Sequence, residues 1–120
     1  MKNTRQELTI IQKTYDLILW FVPIIDRFPR SYKFNLGDRI QSQMFSILEE
    51  LVIARYEKTK AERLESVNVK LDVLRYHGRL LLDLKVIDGK KFHYVSEQIN
   101  GIGIELGGWI KQQRENEKIR

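Results

Sequence analysis

Cysteine is absent from all 120 residues, which excludes disulfides, thiol nucleophiles and thiolate metal sites together. Proline occurs only at Pro23 and Pro29, and no stretch shows the apolar–polar alternation of a half-buried strand. Long apolar runs are missing too. The longest, LILWFVPII from Leu17 to Ile25, falls short of the roughly 20 residues of a membrane span. The opening MKNTRQE lacks the apolar core of a secretory signal, so the expectation is a cytoplasmic protein that does not enter a membrane.

Catalytic chemistry is equally scarce. His77 and His93 are the only histidines, far apart in sequence, and neither sits in an HExxH motif. A metal site needs three or four converging ligands, so no metal or cofactor is nominated, and both are read as surface or partly buried histidines. Glu49 and Glu50 are adjacent carboxylates, but neighbours on a helix point about 100 degrees apart and cannot flank one bond as acid and base. They read as helix surface, with Glu50 placed near Arg39 or Arg55. No Ser–His–Asp arrangement can be assembled, so no catalytic residue is assigned and the chain is read as a non-enzyme.

What is present is a balanced mixture, 42% hydrophobic and 31% charged, sized for one domain with one continuous core. The net charge of +5 suits a polyanionic partner, or simply keeps the chain in solution.

The apolar residues recur at helical period. Leu8, Ile11, Tyr15, Ile18, Val22 and Ile25 step by three and four and predict a helix of about six turns. Thr4 and Glu7 stand in capping-box positions before it, and Pro23 should kink it by removing one backbone hydrogen bond. A second seam, Leu17, Phe21, Ile24 and Phe28, runs beside the first, so this helix must touch more than one neighbour. The second helix carries Ile40, Met44, Ile47, Leu51 and Ala54, flanked by Phe45, Leu48 and Val52, and fades into the connection EKTKAE, Glu57 to Glu62.

Leu64, Val67, Leu71, Leu74, Gly78 and Leu81 define a third helix, which IDGKK interrupts at Ile87 to Lys91. Asp88 is placed to N-cap a fourth, Phe92, Val95, Ile99, Ile102, Leu106 and Trp109. Four helices with short joints predict an all-α antiparallel up-down four-helix bundle over residues 1–120, with a tail from about residue 113 free to fray.

The glycine-rich NGIGIELGGW has neither the spacing of a phosphate-cradling loop nor a strand before it. Each helical glycine costs about 1 kcal/mol relative to alanine. Gly103 and Gly107, one turn apart, therefore suggest a place where another helix backbone comes close.

The basic excess lies in the loop after the first helix and along the third. Arg75 and Arg79, one turn apart on one face, form with Arg30 and Lys33 a candidate patch for phosphates, a plain solvated face being the alternative. In FPRSYKFNLGDRI, Phe28, Tyr32, Phe34 and Leu36 are expected to close the end of the bundle, although Tyr32 and Phe34 also suit stacking on bases.

FPRSYKFNLGDRI at Phe28 to Ile40, ILEELVIARY at Ile47 to Tyr56, LDVLRYHGRLLLDLKVID at Leu71 to Asp88 and LGGWIK at Leu106 to Lys111 occur in the order found in a known family. The chain resembles the accessory variability determinant proteins of diversity-generating retroelements. The resemblance implies a four-helix bundle, a ring-like homopentamer and a non-catalytic role. That role is to bind the retroelement's reverse transcriptase and its template RNA, or other nucleic acid, during mutagenic retrohoming. Four-helix proteins encoded within ribosomal RNA intervening sequences share the architecture, and they supply the alternative, a structural or protein-interaction module.

Overall fold

A computed structural model describes residues 4–119, and the side chains of these except Thr4, Gln6 and Ile119. Four long helices make up the bundle: α1 (Thr4–Asp26), α2 (Asp38–Ala54), α3 (Ala61–Asp83) and α4 (Gly89–Ile119). Each packs on the next and α4 returns to α1, in a rod 51 Å long and 20–22 Å across. Among the described residues there is no strand.

The inward lines of α2 and α3 are those the periodicity picks out. Ile40, Met44, Ile47, Leu51 and Ala54 are buried in α2, as are Leu64, Val67, Leu71, Leu74, Gly78 and Leu81 in α3. In α4, Val95, Ile99, Ile102, Leu106 and Trp109 are buried while Phe92 packs at their edge.

Helix α1 buries the second of its two expected seams more deeply than the first. Its core line is Ile10, Thr14, Leu17, Phe21, Ile25 and Phe28, whereas Leu8 and Tyr15 are half exposed and Ile11, Ile18 and Val22 only partly covered. Thr14 breaks the apolar pattern of the true line, yet it can be buried because its hydroxyl donates to the Ile10 carbonyl at 2.9 Å.

The proposed capping box involves the Thr4 side chain, which lies outside the described residues. Glu7 is committed elsewhere, to Arg55 on α2 at 3.3 Å. Pro23 falls in the last turn of α1, and the carbonyl it deprives of an amide belongs to Leu19, a residue 59% exposed to water. The segment Glu7–Asp26 has the length and mean hydropathy, 1.4, of a membrane span, but here one face of it forms the core of the bundle.

The joints are more structured than connectors need be. After Pro29 comes one helical turn, Arg30–Tyr32, then a π-helical turn, Lys33–Gly37, that runs directly into α2. Gly37 is buried there, in a space where a β-carbon would crowd Ile25 and Phe28.

Between α2 and α3, Lys60 does what composition does not announce. Its ammonium donates to the carbonyls of Ala54 and Glu57 at 2.7 Å and of Arg55 at 3.1 Å, capping the negative end of α2.

Helix α3 ends with Lys85 at φ 62°, the only described non-glycine residue in the left-handed region. The Val86 amide returns to the Leu81 carbonyl at 2.8 Å and the Lys85 amide to Leu82 at 2.9 Å, the pairing usually built around glycine. Lys85→Gly is expected to raise stability by about 1 kcal/mol, because it relieves a backbone cost of that size. A chemical-denaturation midpoint at or below wild type would contradict this.

Asp88 caps α4 as expected. Its carboxylate accepts the Lys91 amide at 2.9 Å, and that bond holds its pKa below the ordinary carboxylate value. The tail from residue 113, read above as free to fray, is helical to Ile119, with Arg114 donating to Glu65 of α3 at 3.0 Å.

Candidate nucleic-acid interface

The α1–α2 joint and the α3–α4 joint lie at one end of the rod. Ile24, Arg27 and Phe28 share a cleft there with Val86, Ile87, Asp88 and Lys91. Residues 26–39 and 72–91, gathered at this end, hold nine Lys or Arg against five Asp. Glu97 of α4 lies at the same level and lowers the surplus to three of the chain's +5, so the excess leans toward this end.

The four basic candidates separate into two pairs. Arg30 and Lys33 flank the ring of Phe34, at 5.8 and 5.4 Å from its centroid. Phe34 does not close the bundle as expected. It stands 61% exposed, while Phe28 is buried and Tyr32 and Leu36 are half-buried. The π-helical turn is the reason, since by widening the helix it re-aims Phe34 outward while Gly37 stays inside.

Arg75 and Arg79 lie on α3 and line one groove against α4. Arg75 donates through Nε to the Asn100 Oδ1 at 3.4 Å and stands 3.6 Å from Asp72, while Arg79 stands 3.9 Å from Asp83. Exposed pairs at such distances contribute little and leave the guanidinium groups available to a stronger anion.

This groove also corrects the reading of the glycines. Nothing lies within 4 Å of a β-carbon at Gly107, and a β-carbon at Gly103 would meet the Arg75 guanidinium at 2.7 Å. Gly103 makes room for an arginine rather than for another helix backbone.

The far half of the rod is self-neutralised. Glu50 pairs with Lys70 and Arg63 of α3, not with Arg39 or Arg55, and Lys70 also donates to Ser46. Arg63 holds Glu57 at 2.8 Å, a bond that lowers the carboxylate pKa and raises that of the guanidinium. His77 sits in the α2–α3 groove beside Arg39. Burial, and then that positive charge, lower its pKa and favour the neutral ring. His93 is exposed and stands 3.3 Å from Glu97. Among the described residues no three His, Asp or Glu gather as a metal site.

Two apolar surfaces remain uncovered. Leu8, Tyr15 and Leu19 of α1 and Phe45 and Val52 of α2 are all at least 39% exposed. The register fixed by Glu7 and Arg55 sets Leu19 near the level of Phe45 and Leu8 near that of Val52, so they form one face. Val69, Val73, Tyr76 and Leu80 form the second, a stripe along α3 that Leu84 continues past its end. Of the stripe that periodicity assigned to the core of α1, Leu8 and Tyr15 stand on the first of these outer faces.

No curated protein matches the sequence. The bAvd-like family model matches residues 8–113, a span that holds every buried core position from Ile10 to Trp109. With four helices in the expected order and a match over nearly its whole length, the chain belongs to the bAvd-like family.

Proposed function

We propose that this protein is a non-enzymatic accessory factor of a diversity-generating retroelement. It assembles in the cytoplasm as a ring-like homopentamer and presents its basic ends to the template RNA and the reverse transcriptase during mutagenic retrohoming. No cofactor is required. Membership of the bAvd-like family across residues 8–113 carries the reading.

The physical chemistry supports it in two ways. The exposed apolar face of α1 and α2 gives copies a surface to bury on assembly, and a heterologous contact closes into a ring when its rotation permits. Five copies then combine charges of +5 into about +25, with the larger share at one end. Arg30, Lys33, Arg75 and Arg79 are the contacts assigned to phosphate or to the polymerase.

Filter binding of single-stranded RNA across a salt series tests the assignment. Association is expected to fall with a log–log slope steeper than about −2, and Arg75→Glu with Arg79→Glu to flatten it by roughly 1.4, the share of two single-strand phosphates. A flat salt response would favour the intervening-sequence alternative, a module that contacts protein only. Light scattering should find five copies of 14.3 kDa, roughly 70 kDa, and a stable monomer would remove the ring.

A further inference from the structure

The α3–α4 groove offers more than positive charge. It encloses about 330 Å³, at the lower end of the volumes that hold small organic ligands. Asp72, Arg75, Tyr76 and Arg79 follow one another at spacings of three, one and three on α3, and Phe92, Ser96 and Asn100 at steps of four on α4, so two antiparallel rows face each other. Tyr76 is 67% exposed and Phe92 half-buried, which leaves aromatic surface within reach of a flat ligand.

Polar groups surround that surface. Asn100 uses its Oδ1 to accept from Arg75, which leaves its amide N–H groups as donors beside the Ser96 hydroxyl. Asp72 and Asn100 flank Arg75, and Gly103 keeps open the position its Nη2 occupies. Arg79, 71% exposed, stands at the outer edge.

We infer that this groove takes one unpaired nucleobase, stacked on Tyr76, its edge met by Asn100 and Ser96 and its flanking phosphate by Arg79. The inference rests on the nucleic-acid reading above and adds a preference for single strands, since a base within a duplex cannot reach between the helices.

The test measures anisotropy of a fluorescein-labelled single-stranded RNA of about 12 nucleotides, and of the same sequence as a duplex, with the intact oligomer at fixed low salt. Wild type should bind the single strand more tightly than the duplex. Tyr76→Ala should weaken single-strand binding roughly tenfold or more, and Tyr76→Phe should restore it. Gly103→Ala displaces the Arg75 guanidinium without removing a charge or a helix former. It should weaken the single strand several-fold while leaving the salt slope unchanged.

Light scattering confirms that each variant keeps the assembly. If Tyr76→Ala and Gly103→Ala bind as wild type while the Arg75, Arg79 double reversal does not, the contact is phosphate only. The base site is then overturned and the broader reading stands. Equal affinity for duplex overturns the base site as well, and no binding of either RNA by wild type overturns both.

Discussion

Trp109→Ala should lower the unfolding free energy by about 3–5 kcal/mol, a large part of the roughly 5–15 kcal/mol available to a domain of this size. Trp109 is the largest fully buried side chain, at 0% exposure, and it is the last core position on α4. Alanine leaves a cavity that a close-packed core collapses only partly to fill. Trp109→Phe is the informative companion. The indole Nε1 is buried without a hydrogen-bond partner among the described residues, so removing it returns a desolvation cost while leaving a smaller void. Phenylalanine should therefore cost less than about 1.5 kcal/mol. Urea midpoints of the two variants decide the matter, and equal losses would show that the cavity argument is wrong.

Glycine substitutions at two buried positions should move stability in opposite directions. At Gly37 a β-carbon would stand 3.0 Å from Ile25 Cγ2, 3.3 Å from the Tyr32 carbonyl oxygen and 3.4 Å from Phe28 Cδ2. Ile25 and Phe28 belong to the core, and the carbonyl belongs to the π-helical turn, so none can yield freely. Gly37→Ala is expected to cost about 1–3 kcal/mol and to loosen the joint that carries Arg30, Lys33 and Phe34. At Gly78 the same methyl would meet only Val95 Cγ1, at an ordinary 3.9 Å, within a regular helix. Gly78→Ala should stabilise by about 0.5–1 kcal/mol through helix propensity. Thermal melts that shift both variants the same way would refute the distinction.

The two outcomes mark how far the residues could be read unaided. In α2 and α3 a single apolar line dominates, and period alone identifies the buried face. In α1 two lines compete, and the one interrupted by Thr14 is the one buried, because a threonine can satisfy its own hydroxyl within the helix. Asp88 was legible because an N-cap is a local event.

Lys60 and Lys85 were not. The first acts on carbonyls up to six residues away, and the second holds a backbone conformation its residue type disfavours. Nor does spacing reveal that Gly103 faces an arginine 28 positions earlier in the chain, a relation set by the register of α3 on α4. In the candidate site, the pairing of Arg75 with Arg79 follows from helical spacing, while the outward turn of Phe34 depends on one extra residue in the turn before α2.

The concentration of positive charge at one tip of the rod has a consequence for ionic strength. Copies arranged side by side in the same direction crowd like charges onto a single rim, so added electrolyte relieves their mutual repulsion and tightens the assembly. The same electrolyte weakens the rim's hold on a polyanion. Cohesion of the proposed ring and its hold on a polyanion should therefore respond to salt with opposite signs.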